Sequence, residues 1–186
     1  MRALLFFPPH WQPFMPHLAL PALTAYLRTN GVEVVQRDLN AEVFDRVLSS
    51  KHLRPVLRQL RTEERRIERK ELNPGIKQAN LQALAWAREA GPRIVAQVDQ
   101  ARQIIHSERF FEGPLSRDAL LCLADALMLA SVPYFPSEFR ISGYRSAYPV
   151  DASQAIYVSV QDSRFNFFRT LLQMIAIPQI RRQDPD

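Results

Sequence analysis

Side chains that could bind a ligand are concentrated near the start of the chain. His10 and Trp11 lie in a proline-rich loop, residues 8–16, which follows a short apolar run. Asp38 and Asn40 lie at the end of a second apolar run. Their carboxylate and amide could hydrogen-bond a ligand beside the loop, or they could form only a turn and a helix N-cap.

A β-α-β unit would position these side chains. Residues 2–7 predict a buried strand, residues 17–30 a helix that starts close to Pro21, and residues 32–37 a second strand. Gly31 is expected to end the helix in a left-handed conformation. Ligands of such parallel sheets bind outside the carboxyl ends of the strands. The loop and the end of the second strand are therefore the predicted site.

The rest of the sequence is predicted to be mainly helical. The expected elements are a helix over residues 40–48 with Asn40 as its N-cap, a charged segment over 51–72, a break at Asn73-Pro74-Gly75, a helix over 78–106 with a break or kink at Gly91-Pro92, a helix over 116–130 capped by Ser116, a proline and aromatic loop over 132–150, a strand or helix start over 155–160, and a last helix from Ser163.

Composition limits the class of protein. The 186 residues are 47% hydrophobic and carry a net charge of +5, with a pI of about 9.8. The single cysteine, Cys122, excludes an internal disulfide and a multi-cysteine metal centre. A reducing cytoplasm is the simplest location. The sequence predicts neither a signal peptide nor a membrane span, and no membrane partner is expected.

The most basic stretch of the chain has two interpretations. Residues 51–71 are rich in arginine, which could bind nucleic acid. Four glutamates interleave with these arginines, and no Phe, Tyr or Trp is present to stack on bases. That pattern favours a solvated, salt-bridged helix face, so nucleic acid is not the expected partner.

Catalytic signatures are absent from the sequence. Cys122 lies among leucines, which favours a buried, inert thiol over a nucleophile. Asp118 and Asp125 have no oriented Ser, His or Cys partner that the sequence reveals. GxGxxG and Walker phosphate-binding patterns are also missing.

The beginning of the chain resembles a known family. Residues 3–48 resemble the amino-terminal end of cobalamin-binding-domain radical S-adenosylmethionine proteins, with a looser similarity at Phe135-Pro136 and over residues 144–148. The matching positions are Pro8-Pro9, Pro16, Leu20-Pro21, Leu23, Leu27, Gly31 and Asp38-Leu39-Asn40.

The resemblance implies a fold class and a domain division. The fold would be α/β, an incomplete Rossmann-like parallel sheet of the cobalamin-binding type, followed by a mainly helical region. Residues 1–48 would form the β-α-β start and residues 49–186 a helical insertion or extension. The chain would end about where the third strand of a five-stranded sheet begins.

The resemblance also implies a cofactor and a partner. Cobalamin would be contacted by Pro9, His10, Trp11, Met15, Asp38 and Asn40. The 4Fe-4S cluster and S-adenosylmethionine would be held by a CxxxCxxC barrel, which Cys122 alone cannot supply. This chain is thus expected to be the non-catalytic amino-terminal portion of a radical S-adenosylmethionine enzyme, acting with that barrel in cis or in trans. The alternative is a non-catalytic helical module that binds protein or nucleic acid through a basic surface.

Overall fold

The chain folds into helices and two small sheets. The computed structural model describes residues 1–7, 18–68, 74–135, 137–145 and 178. The elements in chain order are strand β1 (Arg2–Phe7), helix α1 (Ala19–Thr29), strand β2 (Glu33–Asp38), helices α2 (Leu39–Val47), α3 (Ser50–Glu68), α4 (Pro74–Ile105) and α5 (Gly113–Ser131), and strands β3 (Glu138–Arg140) and β4 (Gly143–Arg145), with 3₁₀ turns at Glu108–Phe111 and Val132–Tyr134.

The first compact unit contains the predicted β-α-β arrangement. Residues Met1–Asp45 belong to this unit, and the second unit begins at Arg46. Strands β1 and β2 pair in parallel, with Arg2 opposite Glu33. Gly31 has a φ of 74°, so a left-handed residue does end α1 as expected. The predicted strand–helix–strand order is therefore confirmed, as a small two-stranded parallel sheet in a mainly helical chain.

Helix α2 begins at Leu39, and its N-cap lies two residues before the expected one. Asp38, not Asn40, provides the cap: its Oδ1 accepts a hydrogen bond of 2.9 Å from the backbone N–H of Ala41. Asn40 lies within the first turn and is buried. The expected N-cap at Asn40 is thus wrong. The apolar face of α2 is buried, at Val43, Phe44, Val47 and Leu48.

Three helices, α3, α4 and α5, pack against one another in the second unit. Buried residues recur along α4 at every third or fourth position, as a helix face packed on neighbours requires. The fully buried side chains of this unit include Leu53, Leu60, Leu84, Ile94, Val98, Leu127, Leu129 and Phe139.

A break or kink is expected at Gly91-Pro92, and helix α4 is continuous there, so the helix does not break. Proline removes one backbone donor from a helix, which normally interrupts it. Here the turns on both sides are anchored, because Ala87 and Ile94 are buried on the same face as Gly91. The proline itself is exposed to solvent.

Other expectations are corrected at element ends. Helix α4 begins at Pro74, because proline is well suited to the first helical position. Helix α5 begins at Gly113, not at the expected Ser116 cap. The Ser116 hydroxyl donates a hydrogen bond of 2.8 Å to the Gly113 carbonyl and does not cap the helix. The segment expected to be a loop from residue 132 contains a 3₁₀ turn and an antiparallel hairpin, with Phe139 opposite Tyr144.

Three expectations lie outside the described residues: the end of the aromatic loop at 146–150, the strand or helix at 155–160, and the helix from Ser163. Within the part of the chain that the structure describes, no helix is long and apolar enough to cross a membrane.

Candidate functional site

The predicted site lies at the carboxyl edge of the small parallel sheet. Strand β1 ends at Phe7 and strand β2 ends at Asp38, and these two residues are direct partners in the sheet. Phe7, the last described residue before the loop, therefore lies beside the Asp38 backbone. Four of the predicted contact residues belong to that loop and lie outside the described residues: Pro9, His10, Trp11 and Met15.

Asp38 and Asn40 differ in their exposure to solvent at this edge. Asp38 is exposed, and its carboxylate is oriented by the Ala41 N–H at the start of α2. Asn40 is only 6% exposed, so its amide is not offered to solvent. Of the two predicted ligand-binding side chains, only Asp38 is thus accessible at the open edge of the sheet.

An ion pair fixes the junction that carries Asp38. The Arg37 Nε and Nη2 atoms both lie 2.8 Å from Glu42 Oε1. This pair links the end of β2 to the first turn of α2, on either side of the Asp38 cap. Sequence reasoning missed it, although an arginine five residues before a glutamate across a strand–helix junction is a detectable signal.

Helix α1 carries a buried hydroxyl with no hydrogen-bond partner. Thr24 is 4% exposed and lies with Leu20 on the buried side of α1. Among the described residues its Oγ1 has nothing to bond. An unpaired buried hydroxyl costs free energy, about 1–3 kcal/mol in protein mutational data.

A cleft of about 340 Å³ lies between α4 and α5 in the second unit. Its polar lining comprises Arg93 and Gln97 from α4 and Asp118, Cys122 and Asp125 from α5. Arg93 Nη2 lies 3.7 Å from Asp125 Oδ2. The sequence did not reveal this cleft, because its two walls are far apart in the chain.

The Cys122 thiol is half-buried in that cleft. Burial raises the pKa of the thiol, the Asp125 carboxylate raises it further, and the Arg93 guanidinium lowers it. The thiol therefore stays protonated near neutral pH and is a poor nucleophile. It is less buried than its leucine neighbours had suggested.

Two side chains cap the start of α3. Ser49 Oγ accepts a 3.2 Å hydrogen bond from the His52 N–H, and Asp99 Oδ1 accepts one of 3.0 Å from the Ser50 N–H. The bonds from Ser50 are the main reason that the pKa of Asp99 is lowered. The pKa of His52 is lowered first by burial and second by Arg46.

Residues 51–68 of the basic stretch lie in α3 and expose part of their charge. Arg54, Arg58 and Arg65 are exposed, and they follow one another at spacings of four and seven, which places them on one helix face. Glu68 is exposed at the end of the helix. This surface is the described basic region that the alternative interpretation requires.

Comparisons with known proteins add nothing to these observations. No family model matches the sequence, and neither the curated proteins nor the solved structures contain a significant match. The described residues hold no group of three or more His, Cys, Asp or Glu side chains that could bind a metal ion.

Proposed function

We propose that the first unit is the opening of a cobalamin-binding sheet and that the chain serves a radical S-adenosylmethionine enzyme. The observation that carries this proposal is the parallel β1–β2 pair, which sets Phe7 beside Asp38 at the carboxyl edge. Parallel sheets with intervening helices bind their ligands at that edge. The sequence resemblance over residues 3–48 adds the class of ligand.

Asp38 suits a corrinoid chemically. The rim of the corrin ring carries primary amides, which donate hydrogen bonds, and an exposed carboxylate accepts them. His10 and Trp11 would add an imidazole and an aromatic face from the neighbouring loop. When bound, cobalamin supplies methyl-transfer or radical chemistry; the residues of this chain would hold the ligand and orient it.

In this proposal the redox step, at a 4Fe-4S cluster, takes place outside these 186 residues. A 4Fe-4S cluster of the radical S-adenosylmethionine type needs three thiolates, and the 186 residues contain only Cys122. A barrel that carries CxxxCxxC would act in cis or in trans. A CxxxCxxC motif in the continuing reading frame or in a neighbouring gene would support this assignment.

Cobalamin binding by the chain alone is expected to be weak. A corrinoid is normally enclosed by loops from several strands, and the described part of this sheet contains two. We expect a dissociation constant on the order of 1 mM, equivalent to about 4 kcal/mol of binding free energy.

Equilibrium dialysis can measure such weak binding. Protein at a concentration comparable to the expected dissociation constant is dialysed against hydroxocobalamin. The excess of corrinoid on the protein side, read from visible absorbance after dilution, gives the amount bound and should saturate.

Matched variants decide whether the predicted edge is the binding site. Asp38→Asn keeps an oxygen that can cap α2 but removes the charge, and it should weaken cobalamin binding about tenfold. His10→Ala should weaken it by a similar factor. Glu108→Gln, at an exposed position in the other unit, should not change it. The proposal fails if dialysis detects no saturable binding below about 5 mM, or if the two edge variants bind like the parent.

The exposed arginines of α3 support a second candidate function, binding of nucleic acid or an acidic protein. Retention on heparin and a gel shift with single-stranded and duplex nucleic acid test it. Replacing Arg54, Arg58 and Arg65 by alanine removes three charges. The slope of the logarithm of the binding constant against the logarithm of salt concentration should therefore become shallower by about 3. An absence of binding near physiological salt would exclude this candidate.

A further inference from the structure

We infer that the cleft between α4 and α5 binds a short aliphatic chain that ends in an ammonium group. This site lies wholly in the second unit and does not depend on the function proposed for the first. Its volume of about 340 Å³ is at the lower end of ordinary ligand sites, which suits a small occupant.

The charges of the cleft favour a cation. Its lining contains two carboxylates, Asp118 and Asp125, and one guanidinium, Arg93, whereas the chain as a whole has a net charge of +5. Arg93 already pairs with Asp125 at 3.7 Å. Among the described residues, nothing forms an ion pair with Asp118, so this exposed carboxylate is available to a ligand.

The apolar lining favours an alkyl stem next to the cation. Ile94 and Leu121 both line the cleft; Ile94 is buried at 1% exposure, whereas Leu121 is 55% exposed and offers apolar surface to a ligand. The protonated Cys122 thiol adds a polarizable, weakly polar surface. Asp118 lies three residues before Leu121 on α5, so the two share a helix face, and a methylene chain packed on Leu121 would place its ammonium head near Asp118. An anionic ligand would instead be repelled by that carboxylate.

A single labelled residue reports on occupancy. Because the chain has one cysteine, protein labelled with ¹⁵N-cysteine gives one amide signal, that of Cys122. We expect 1,4-diaminobutane to shift this signal saturably. Butane-1,4-diol, which is similar in shape but uncharged, should not shift it, nor should sodium chloride at the same ionic strength.

Substitutions separate the charge from the apolar wall. Asp118→Asn should raise the dissociation constant at least about tenfold, since it removes one charge-assisted hydrogen bond. Leu121→Ser should weaken binding without abolishing it. Glu108→Gln is the matched control, because Glu108 is an exposed acidic residue outside the cleft.

A second ligand distinguishes a free amine from a side chain. If the capped peptide acetyl-Gly-Lys-Gly-amide shifts the Cys122 signal as strongly as the diamine, the natural occupant is a lysine of another protein. If only the diamine binds, the occupant is a free amine. The inference is overturned if neither ligand gives a saturable shift, if the diol acts equally, or if Asp118→Asn leaves the affinity unchanged.

Discussion

Gly91 and Leu57 are in such close contact that a methyl group on Gly91 would lie 2.7 Å from Leu57 Cδ1. Leu129 Cδ1 would lie 3.6 Å away, which is an ordinary van der Waals contact. Glycine at this position therefore lets α3 approach α4 closely. The glycine serves tertiary packing, not the local conformation of a turn.

Two opposing effects should nearly cancel in Gly91→Ala. Alanine gains about 1 kcal/mol of helix propensity over glycine, whereas the clash costs a similar amount because the half-buried Leu57 side chain must move. We expect the free energy of unfolding to change by less than about 1 kcal/mol. In a Leu57→Ala background the clash is gone, and Gly91→Ala should then stabilise by about 1 kcal/mol.

Urea unfolding of the four proteins in this cycle provides the measurement. Gly91→Leu is the control for overpacking, since its side chain cannot be accommodated by moving one methyl group, and it should destabilise by about 1–3 kcal/mol or more. An identical effect of Gly91→Ala in both backgrounds would show that Leu57 does not limit the packing at this position.

The close packing at Gly91 also shows what the sequence could not predict. The strand–helix–strand start was predictable because each of its signals is local: two apolar runs, a proline in a first turn and Gly31 after the helix. A glycine followed by proline is a local signal for a break, but α4 continues because its flanking turns are buried by helices distant in sequence.

The candidate sites illustrate the same limit. Asp38 was predictable as a strand-end residue, but Asn40 was assigned the cap because both types are good N-caps and helix ends are ambiguous by one or two residues. The α4–α5 cleft depends on which faces of two helices meet. No local pattern contains that information.

The unpaired hydroxyl of Thr24 predicts a stabilising substitution. Valine has nearly the same shape as threonine and has no hydroxyl, so Thr24→Val should raise the free energy of unfolding by about 1 kcal/mol. Thr24→Ser, which keeps the hydroxyl and loses the methyl, should lower it. Thermal unfolding of the three proteins checks this ranking. A loss of stability in Thr24→Val would mean that the hydroxyl has a partner in solution.

Asp99 should make the stability of the second unit depend on pH in the acidic range. Its folded-state pKa lies below the ordinary value of 3.8, chiefly because of hydrogen bonds from Ser50. A lowered carboxylate pKa stabilises the folded state fully above the unfolded pKa, and this contribution is lost as the pH falls through the folded pKa. We therefore expect wild-type stability to decline below about pH 4.

Asp99→Asn tests this contribution because an amide oxygen can still accept from Ser50 but cannot titrate. The variant should be less stable than wild type at pH 6, and the difference should shrink as the pH approaches 3. Asp99 is largely exposed, so the difference at pH 6 should not exceed about 1 kcal/mol. Glu108→Gln is the matched control for the loss of one exposed carboxylate. A difference that stays constant between pH 6 and 3 would contradict this explanation.

His52 should affect stability in a separate and higher pH range. Burial and Arg46 lower its folded pKa below the ordinary value of 6.5, so the unfolded chain takes up a proton before the folded chain does. Stability should therefore be highest above pH 6.5 and should fall as the pH drops from 6.5 toward the folded pKa. Below the folded pKa both states are protonated, and no further loss comes from this group.

Two variants separate burial from charge at His52. His52→Gln removes the titration, so its free energy of unfolding should not show the decline just below pH 6.5. Arg46→Gln should raise the folded pKa of His52, measured from its imidazole proton shifts, but should leave it below 6.5, because burial is the larger cause. A return to the ordinary value in Arg46→Gln would assign the whole shift to the arginine. An unchanged pKa in that variant would assign it to burial alone.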